Sequence, residues 1–144
     1  MTRIVIAEDH QSLIDGVCLL FEHEENYSIV GMANDGEKLI EIVEKIQPEI
    51  VLTDIRMPKI DGITATKIIK KKFPNIKVIT FTMFDQQEAI QQMINAGASG
   101  YILKNSGLSD VKNAISKVMS GETYYDAALN LSFLEEDNRP LKKS

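Results

Sequence analysis

The sequence predicts an α/β fold in which a parallel sheet is covered by helices on both faces. Four short apolar runs lack the alternation of half-exposed strands, and they cover residues 4–7, 50–52, 78–81 and 101–103. Continuous apolar runs of this length are typical of strands that are buried on both faces. A fifth, weaker run covers residues 28–33. Segments with helical spacing separate the runs, so strand and helix alternate five times.

The intervening segments repeat apolar residues at intervals of three and four, which predicts five amphipathic helices. The repeats cover residues 13–21, 39–46, 63–69, 89–94 and 111–119. Residues that cap and terminate helices fall between them: Asp35 and Gly36 before the second helix, Asp61 and Gly62 before the third, Gly97 after the fourth and Gly121 after the fifth. The caps and the apolar runs therefore agree on the same division of the chain.

Length and charge restrict the classes of protein that this chain can represent. Its 144 residues suit one globular domain, which we assign to residues 1–121, with residues 122–144 as a C-terminal extension and linker. The formal charge of -5 opposes a phosphate backbone, so we predict that the chain itself binds no nucleic acid. Cys18 is the only cysteine, and no segment is suited to export or to spanning a bilayer. We therefore predict a reducing, cytoplasmic location without membrane contact.

The extension after Gly121 lacks the strand and helix pattern of the preceding residues. Its beginning is expected to prolong the last helix or to form one short extra turn. Its end, EEDNRPLKKS, has the composition of a solvated linker.

Polar residues follow four of the five predicted strands at the point where each strand ends. They are Glu8 and Asp9 after the first strand, Asp54 after the third, Thr82 after the fourth and Lys104 after the fifth. Ligands of open α/β sheets bind outside the carboxyl ends of the strands, where these residues would meet. Three converging carboxylates repel one another unless a cation lies among them, and such oxygen ligands suit Mg²⁺.

A lysine and a threonine hydroxyl beside these acids are the groups that hold a transferring phosphoryl group. No glycine-rich nucleotide loop is present in the sequence. An aspartate in this setting can act as the nucleophile and form an acyl phosphate. His10 is interpreted as a loop residue, because one imidazole beside two acids fits oxygen-rich Mg²⁺ chemistry poorly.

Four motifs make the chain similar to a known family. The segments AEDH, DIRMPKIDG, FT at 81–82 and GYILK at 100–104 resemble the receiver domains of two-component response regulators over residues 3–121. The resemblance implies a flavodoxin-like (βα)5 fold with the five-stranded order 2-1-3-4-5. It also implies that Asp54 accepts a phosphoryl group from a sensor histidine kinase. Beyond its own phosphotransfer and dephosphorylation, such a domain is not an enzyme.

The resemblance assigns Mg²⁺ as the cofactor and gives each acid a role. Asp9 and Asp54 would bind the ion directly together with the backbone carbonyl of Arg56, and Glu8 would act through water. Lys104 would contact the phosphoryl oxygens.

The resemblance also assigns the groups that would switch. Thr82 would move its hydroxyl toward the phosphoryl group, and the ring of Tyr101 would turn inward as it moves. Arg56, Met83 and Phe84 would tune the lifetime of the phosphorylated state.

Two positions depart from the commonest pattern of the family. Asn105 replaces the proline that usually follows the lysine, and a cis bond there would cost roughly 2.5 to 4 kcal/mol, so we predict a trans peptide. Met83 replaces a small residue, so we expect it to restrict access of water to the acyl phosphate. With the GETYY segment, these departures resemble the NarL/FixJ-like branch that carries a LuxR-type helix-turn-helix module, which would follow this chain.

Several alternatives stay open at this point. A homodimer could form through the fourth and fifth helices or through the first and fifth. The chain could be a stand-alone receiver that relays phosphate or docks on a protein. A third alternative is a Mg²⁺-dependent phosphatase with an aspartyl-phosphate intermediate, but such enzymes place a second acid where this chain has Arg56.

Overall fold

The computed structural model describes residues 1–133 and contains alternating strands and helices in the predicted order. The elements are β1 (Thr2–Ala7), α1 (Gln11–Leu20), β2 (Tyr27–Ala33), α2 (Gly36–Ile46), β3 (Ile50–Thr53), α3 (Gly62–Lys72), β4 (Lys77–Thr82), α4 (Gln87–Ala96), β5 (Gly100–Leu103), a 3₁₀ turn (Lys104–Ser106), α5 (Ser109–Met119) and β6 (Tyr124–Tyr125). The linker-like end EEDNRPLKKS lies outside the described residues.

The strands form one parallel sheet in the order β2-β1-β3-β4-β5-β6. The first five positions confirm the predicted order 2-1-3-4-5. The sixth strand was not predicted: it pairs Gly100 with Tyr124 and Tyr101 with Tyr125. The expectation that residues after Gly121 prolong the last helix is therefore wrong, whereas a short turn does occur, after β6, where the N–H of Leu129 donates to the carbonyl of Asp126 at 3.0 Å. Gly121 has a φ of 95°, which ends the helical path, and two tyrosines then add to the exposed edge of β5.

Helices cover both faces of the sheet, as predicted. On one face, α1 and α5 bury Ile14, Val17, Ile115 and Val118 against the strands. On the other face, α2, α3 and α4 contribute a second apolar cluster that includes Met93 of α4. Strand β3 lies between β1 and β4, so all four of its residues are buried. This placement explains the continuous apolar run that ends at the candidate site.

The predicted caps hold the loops around the carboxyl edge of the sheet. The Asp35 side chain accepts a hydrogen bond from the backbone N–H of Lys38 at 2.7 Å, and Asp61 accepts one from Thr64 at 2.8 Å. At the opposite edge of the sheet, Gly97 has a φ of 111° and ends α4 in the left-handed region. Among residues 1–133, no helix has the length and apolar character needed to cross a membrane.

Candidate functional site

Four parallel strands end at one edge of the sheet and place polar side chains there. These are Glu8 and Asp9 beyond β1, Asp54 beyond β3, Thr82 as the last residue of β4 and Lys104 beyond β5. The backbone N–H of Glu8 donates to the carbonyl of Ala33 at 2.9 Å, and that of Asp54 donates to Ala7 at 3.1 Å. These bonds continue the ladder past the strand ends, so the position of each acid is fixed by the sheet itself.

Lys104 joins two of the acids. Its Nζ atom lies 2.7 Å from Asp54 Oδ2 and 2.7 Å from Glu8 Oε1, and the three side chains are between 2% and 9% exposed. Burial alone would lower the pKa of Lys104, but the hydrogen bonds and charges of Asp54 and Glu8 outweigh burial and raise it. The lysine is therefore a permanent cation at neutral pH, shared between the carboxylates that end β1 and β3.

The other oxygens of these two acids have separate partners. Asp54 Oδ1 accepts a hydrogen bond from the backbone N–H of Ile55 at 2.7 Å. Glu8 Oε2 accepts one from the backbone N–H of His10 at 3.1 Å and lies 2.8 Å from His10 Nδ1. Asp54 is therefore held by one neutral donor and one cation.

His10 lies in the loop before α1, as interpreted from the sequence, but its ring reaches both acids that follow β1. Its Nδ1 atom is 3.1 Å from Asp9 Oδ1 in addition to the Glu8 contact. The hydrogen bond to Glu8, followed by the charges of Asp9 and Glu8, raises the pKa of His10. Ligand atoms of Glu8, Asp9 and His10 all lie within 4.8 Å of one another.

These residues fit a hard divalent cation by the chemistry of their donors. Glu8, Asp9 and Asp54 all lie at one edge of the sheet: Glu8 and Asp9 belong to the group within 4.8 Å, and Asp54 is linked to Glu8 through Lys104. Mg²⁺ prefers carboxylate oxygens and keeps several of its waters, so a partly open acidic edge suits it. The imidazole of His10 is a softer donor and lies at the exposed rim.

Thr82 and Tyr101 both bind the backbone of Phe84 in the loop after β4. Both are fully buried. The Tyr101 hydroxyl donates to the carbonyl of Phe84 at 2.6 Å, and the N–H of Phe84 makes a long 3.4 Å bond to Thr82 Oγ1. Burial, followed by the charges of Asp54 and Asp85, raises the pKa of Tyr101, so the hydroxyl stays protonated and able to donate. The Tyr101 ring lies inward in this structure.

A family model described as the response regulator receiver domain matches residues 4–116. The chain belongs to this family. Among curated relatives of the receiver domain, the transcriptional regulatory protein DegU of Brevibacillus brevis is 32% identical over 137 residues. The match covers 95% of this chain and 58% of DegU. The oxygen regulatory protein NreC of Staphylococcus epidermidis is 36% identical over 135 residues, which are 93% of this chain and 62% of NreC. The chain therefore spans about six tenths of the length of these relatives.

Solved structures of similar proteins share the whole receiver fold. A LuxR-family two-component response regulator from Aurantimonas sp. SI85-9A1 superposes with a TM-score of 0.87 at 27% identity, covering 96% of this chain and 99% of that one. The isolated receiver domain of RcsB from Salmonella enterica serovar Typhimurium, solved with the phosphomimetic BeF3-, gives a TM-score of 0.80 at 28% identity, covering 86% and 92%.

Two of the three residues predicted to tune the receiver, Arg56 and Phe84, pack against each other. The guanidinium carbon of Arg56 lies 4.9 Å from the centroid of the Phe84 ring. Both residues line a groove of about 490 Å³ between the loop after β3 and the start of α4. Met83 is 61% exposed. Its effect on water access to Asp54 stays a prediction.

The loop after β5 also follows the prediction. The described residues contain no cis peptide bond, so Lys104 and Asn105 are joined in trans, as expected for a residue other than proline. Lys104 begins a 3₁₀ turn that ends at Ser106. The turn lets the backbone leave the sheet immediately after delivering Lys104 to the acids.

Two contacts of the receiver site were missed by sequence reasoning. The imidazole of His10 contacts both acids, and the carboxylate of Asp126 accepts a hydrogen bond from the N–H of Leu103 at 3.0 Å. The AEDH motif places His10 next to the acids, so its contact had a local signal. Asp126 had none, because it lies in the extension, where no regular structure was expected.

Proposed function

We propose that this receiver domain accepts one phosphoryl group on Asp54 from the phosphohistidine of a sensor kinase. The observation that carries the proposal is the contact between Asp54 Oδ2 and Lys104 Nζ at 2.7 Å, at the end of a buried strand, where the same ammonium lies 2.7 Å from Glu8. A carboxylate held by a fixed ammonium has its nucleophilic oxygens oriented before the donor arrives. The same ammonium offsets negative charge on the phosphoryl oxygens during transfer.

In the transfer, a carboxylate oxygen of Asp54 attacks the phosphorus in line with the bond to the kinase imidazole. A P–O bond forms as the P–N bond breaks, and the electron pair of that bond goes to the imidazole nitrogen. Asp9, Asp54 and the backbone carbonyl of Arg56 would hold Mg²⁺ directly, and Glu8 would act through water. The ion would supply additional positive charge for the phosphoryl oxygens.

The proposed switch lies in the contact between Thr82, Phe84 and Tyr101. Attraction of the Thr82 hydroxyl toward a phosphoryl group would weaken its long bond to the N–H of Phe84, whose carbonyl holds Tyr101. Phosphorylation adds about two negative charges and shifts the population only as far as the two packings of this loop differ in their interaction with it. The altered surface would be formed by α4, β5 and α5.

The relatives support an output in transcription. DegU is named as a transcriptional regulatory protein, and a LuxR-family relative from Staphylococcus aureus as a DNA-binding response regulator. We therefore propose that a helix-turn-helix module attached to this receiver binds DNA, whereas the receiver, with its charge of -5, does not.

The free thiol of Cys18 supports a reducing, cytoplasmic setting. Homodimerisation through helices of the receiver is part of the same proposal.

Intact mass spectrometry tests the phosphoacceptor. Incubation with acetyl phosphate and Mg²⁺ should add the mass of one phosphoryl group to the wild type and none to Asp54→Asn. Asp61→Asn is the matched control, because Asp61 caps α3 and should leave phosphorylation intact. Continuous release of phosphate from small phosphoesters without accumulation of a phosphoprotein would instead support the aspartyl-phosphate phosphatase. Phosphorylation of Asp54→Asn equal to that of the wild type would overturn the assignment.

A further inference from the structure

Asp126 is a buried acid whose carboxylate binds backbone N–H groups on two segments. It follows β6 and is 3% exposed. Its Oδ2 atom accepts a hydrogen bond from the N–H of Leu103, and its Oδ1 atom accepts one from the N–H of Ala128, each at 3.0 Å. Burial would raise the pKa of Asp126, but the bonds from Ala128, Leu103 and the Ser106 side chain outweigh burial and lower it. The carboxylate is therefore an ionised anchor rather than an accidental buried acid.

The same residue also binds β5 through its backbone. Its backbone N–H donates to the carbonyl of Tyr101 at 2.9 Å. Strand β6 provides two paired residues to β5, Tyr124 and Tyr125, and the Asp126 carboxylate then binds the N–H of Leu103, where the pairing stops. Asp126 thus holds β5 at both Tyr101 and Leu103.

Lys104 directly follows the residue that Asp126 holds. Its ammonium must reach Asp54 and Glu8 at 2.7 Å, while its backbone begins the 3₁₀ turn. The backbone of Lys104 can keep this position only if Leu103 stays in the plane of the sheet. A Leu103 N–H that has lost its acceptor would be buried without a partner, and the loop would relax toward solvent.

We propose that Asp126 is a positioning residue for Lys104 and that it couples the C-terminal segment, residues 122–133, to the phosphorylation site. This inference rests on the proposed function of Asp54. Asp126 acts through the backbone of Leu103 and touches no reacting atom. Asp126 thereby fixes the position of the Lys104 ammonium, and Asp126 itself belongs to the C-terminal segment, residues 122–133.

The coupling must act in both directions, because a coupling free energy between two sites is reciprocal. The C-terminal segment packs Leu129, Leu131 and Phe133 against the apolar cluster that contains Tyr101 and Leu103. A phosphoryl group that draws Lys104 away from Glu8 would pull on Leu103 and thereby on Asp126. The C-terminal segment would then respond to phosphorylation without touching the phosphoryl group.

The test compares phosphorylation rates of the wild type, Asp126→Asn and Leu131→Ala. Asparagine has nearly the same shape as aspartate but only one accepting oxygen. Either the N–H of Leu103 or that of Ala128 would therefore face the amide NH₂ group and lose its hydrogen bond. Leu131→Ala weakens the packing of the same segment and keeps the carboxylate, which makes it the matched control. With acetyl phosphate and Mg²⁺, we expect Asp126→Asn to lower the maximal rate about tenfold with little change in the half-saturating donor concentration. Leu131→Ala loosens the coupled segment but keeps both hydrogen bonds of the carboxylate, so we expect a smaller loss, within about twofold of the wild type.

Hydrogen exchange provides a second measurement that does not depend on the rate. In the wild type, phosphorylation or the mimic BeF3- should change exchange of the Leu103 amide and of amides in residues 124–129, and Asp126→Asn should abolish this response. A urea unfolding curve establishes that each variant is folded. If Asp126→Asn does not fold, the exchange response of the wild type decides alone, and absence of any change at Leu103 and residues 124–129 overturns the inference.

The outcomes separate the two proposals. A wild type that takes no phosphoryl group refutes the proposed function. A wild type that is phosphorylated on Asp54, with Asp126→Asn equally fast and equally responsive in exchange, refutes the role of Asp126 alone. Equal slowing by Asp126→Asn and Leu131→Ala also overturns it, because the effect would then belong to loosening of the segment rather than to the carboxylate.

Discussion

Replacing Lys104 by methionine tests the charge arrangement of the site most directly. Methionine keeps much of the length and the apolar stem of lysine and removes its ammonium. The two carboxylates that share this ammonium are 2% and 8% exposed and each lies 2.7 Å from it. After the substitution, Glu8 and Asp54 remain buried without the cation that both contact. The two negative charges then repel each other unless one carboxylate takes up a proton.

The expected loss follows from this burial. Removing one partner of a buried ion pair costs about 3 to 5 kcal/mol, because it leaves an uncompensated charge. Protonation of one carboxylate relieves part of the loss in Lys104→Met, so we expect about 3 kcal/mol at neutral pH. For a chain of this length that corresponds to a decrease in melting temperature of about 10 °C. The raised pKa of Lys104 means that its ammonium is fully charged at neutral pH, and the stabilisation that this charge supplies is lost as the pH rises through that pKa.

Urea unfolding of Lys104→Met, with and without millimolar Mg²⁺, measures this loss. Mg²⁺ should stabilise Lys104→Met more than it stabilises the wild type, because the ion replaces the missing positive charge. Acidification should also reduce the difference between the two, since a protonated carboxyl no longer repels its neighbour. Lys112→Met is the control: its pair with Glu24 is more than one third exposed, so we expect a loss below about 1 kcal/mol that Mg²⁺ does not restore. Equal Mg²⁺ stabilisation of Lys104→Met and the wild type would refute the reasoning.

Two further substitutions test the supports of the site and of the opposite end of the sheet. A Cβ atom on Gly62 would lie 2.0 Å from the carbonyl oxygen of Asp54, so Gly62→Ala should cost about 3 kcal/mol or more in urea unfolding. Gly16→Ala, whose nearest neighbour is a leucine methyl at 3.2 Å, should change stability by less than about 1 kcal/mol, and equal losses in the two variants would contradict the steric argument. Burial would raise the pKa of Glu49, but its hydrogen bonds from Arg3 hold it below the ordinary value. The stabilisation is therefore complete above the unfolded pKa of about 4.3 and is lost as the pH falls through the folded value. Both side chains of this pair are more than one third exposed, so solvent screens it, and Glu49→Gln should cost less than about 1 kcal/mol at neutral pH; a loss that persists unchanged in acid would contradict this origin.

The sheet, and the meeting of polar residues at one of its edges, could be predicted from short local patterns in the sequence. Burial of a parallel strand on both faces requires a continuous apolar run, and such runs locate β1, β3, β4 and β5 directly. In a parallel sheet, the residue after each run must lie on the same edge. The meeting of Glu8, Asp54 and Lys104 therefore required only the fold class and the identity of one residue per strand.

Strand β6 and its anchor could not be predicted in the same way. Two residues are too few for a periodic signal, and Tyr124 and Tyr125 form a strand only because β5 offers an unpaired edge. The role of Asp126 depends on a contact with Leu103, which is 23 residues away in the chain. The contacts of His10 depend on the rotamer of one exposed side chain, and the preference of Mg²⁺ for oxygen ligands led to its interpretation as a loop residue.

The arrangement of charges indicates where a signal would begin. One ammonium, that of Lys104, satisfies two carboxylates on different strands, and a phosphoryl group on Asp54 would replace one carboxylate charge by about two negative charges at nearly the same place. Lys104 could then not remain equally shared, and Glu8 would lose part of its compensation. The backbone that must accommodate this redistribution is held at Leu103 by Asp126, so the first mechanical consequence of phosphorylation would fall on the segment that leads out of the domain. A longer-lived phosphorylated state would prolong this displacement, but its size would be set by the bond between Leu103 and Asp126.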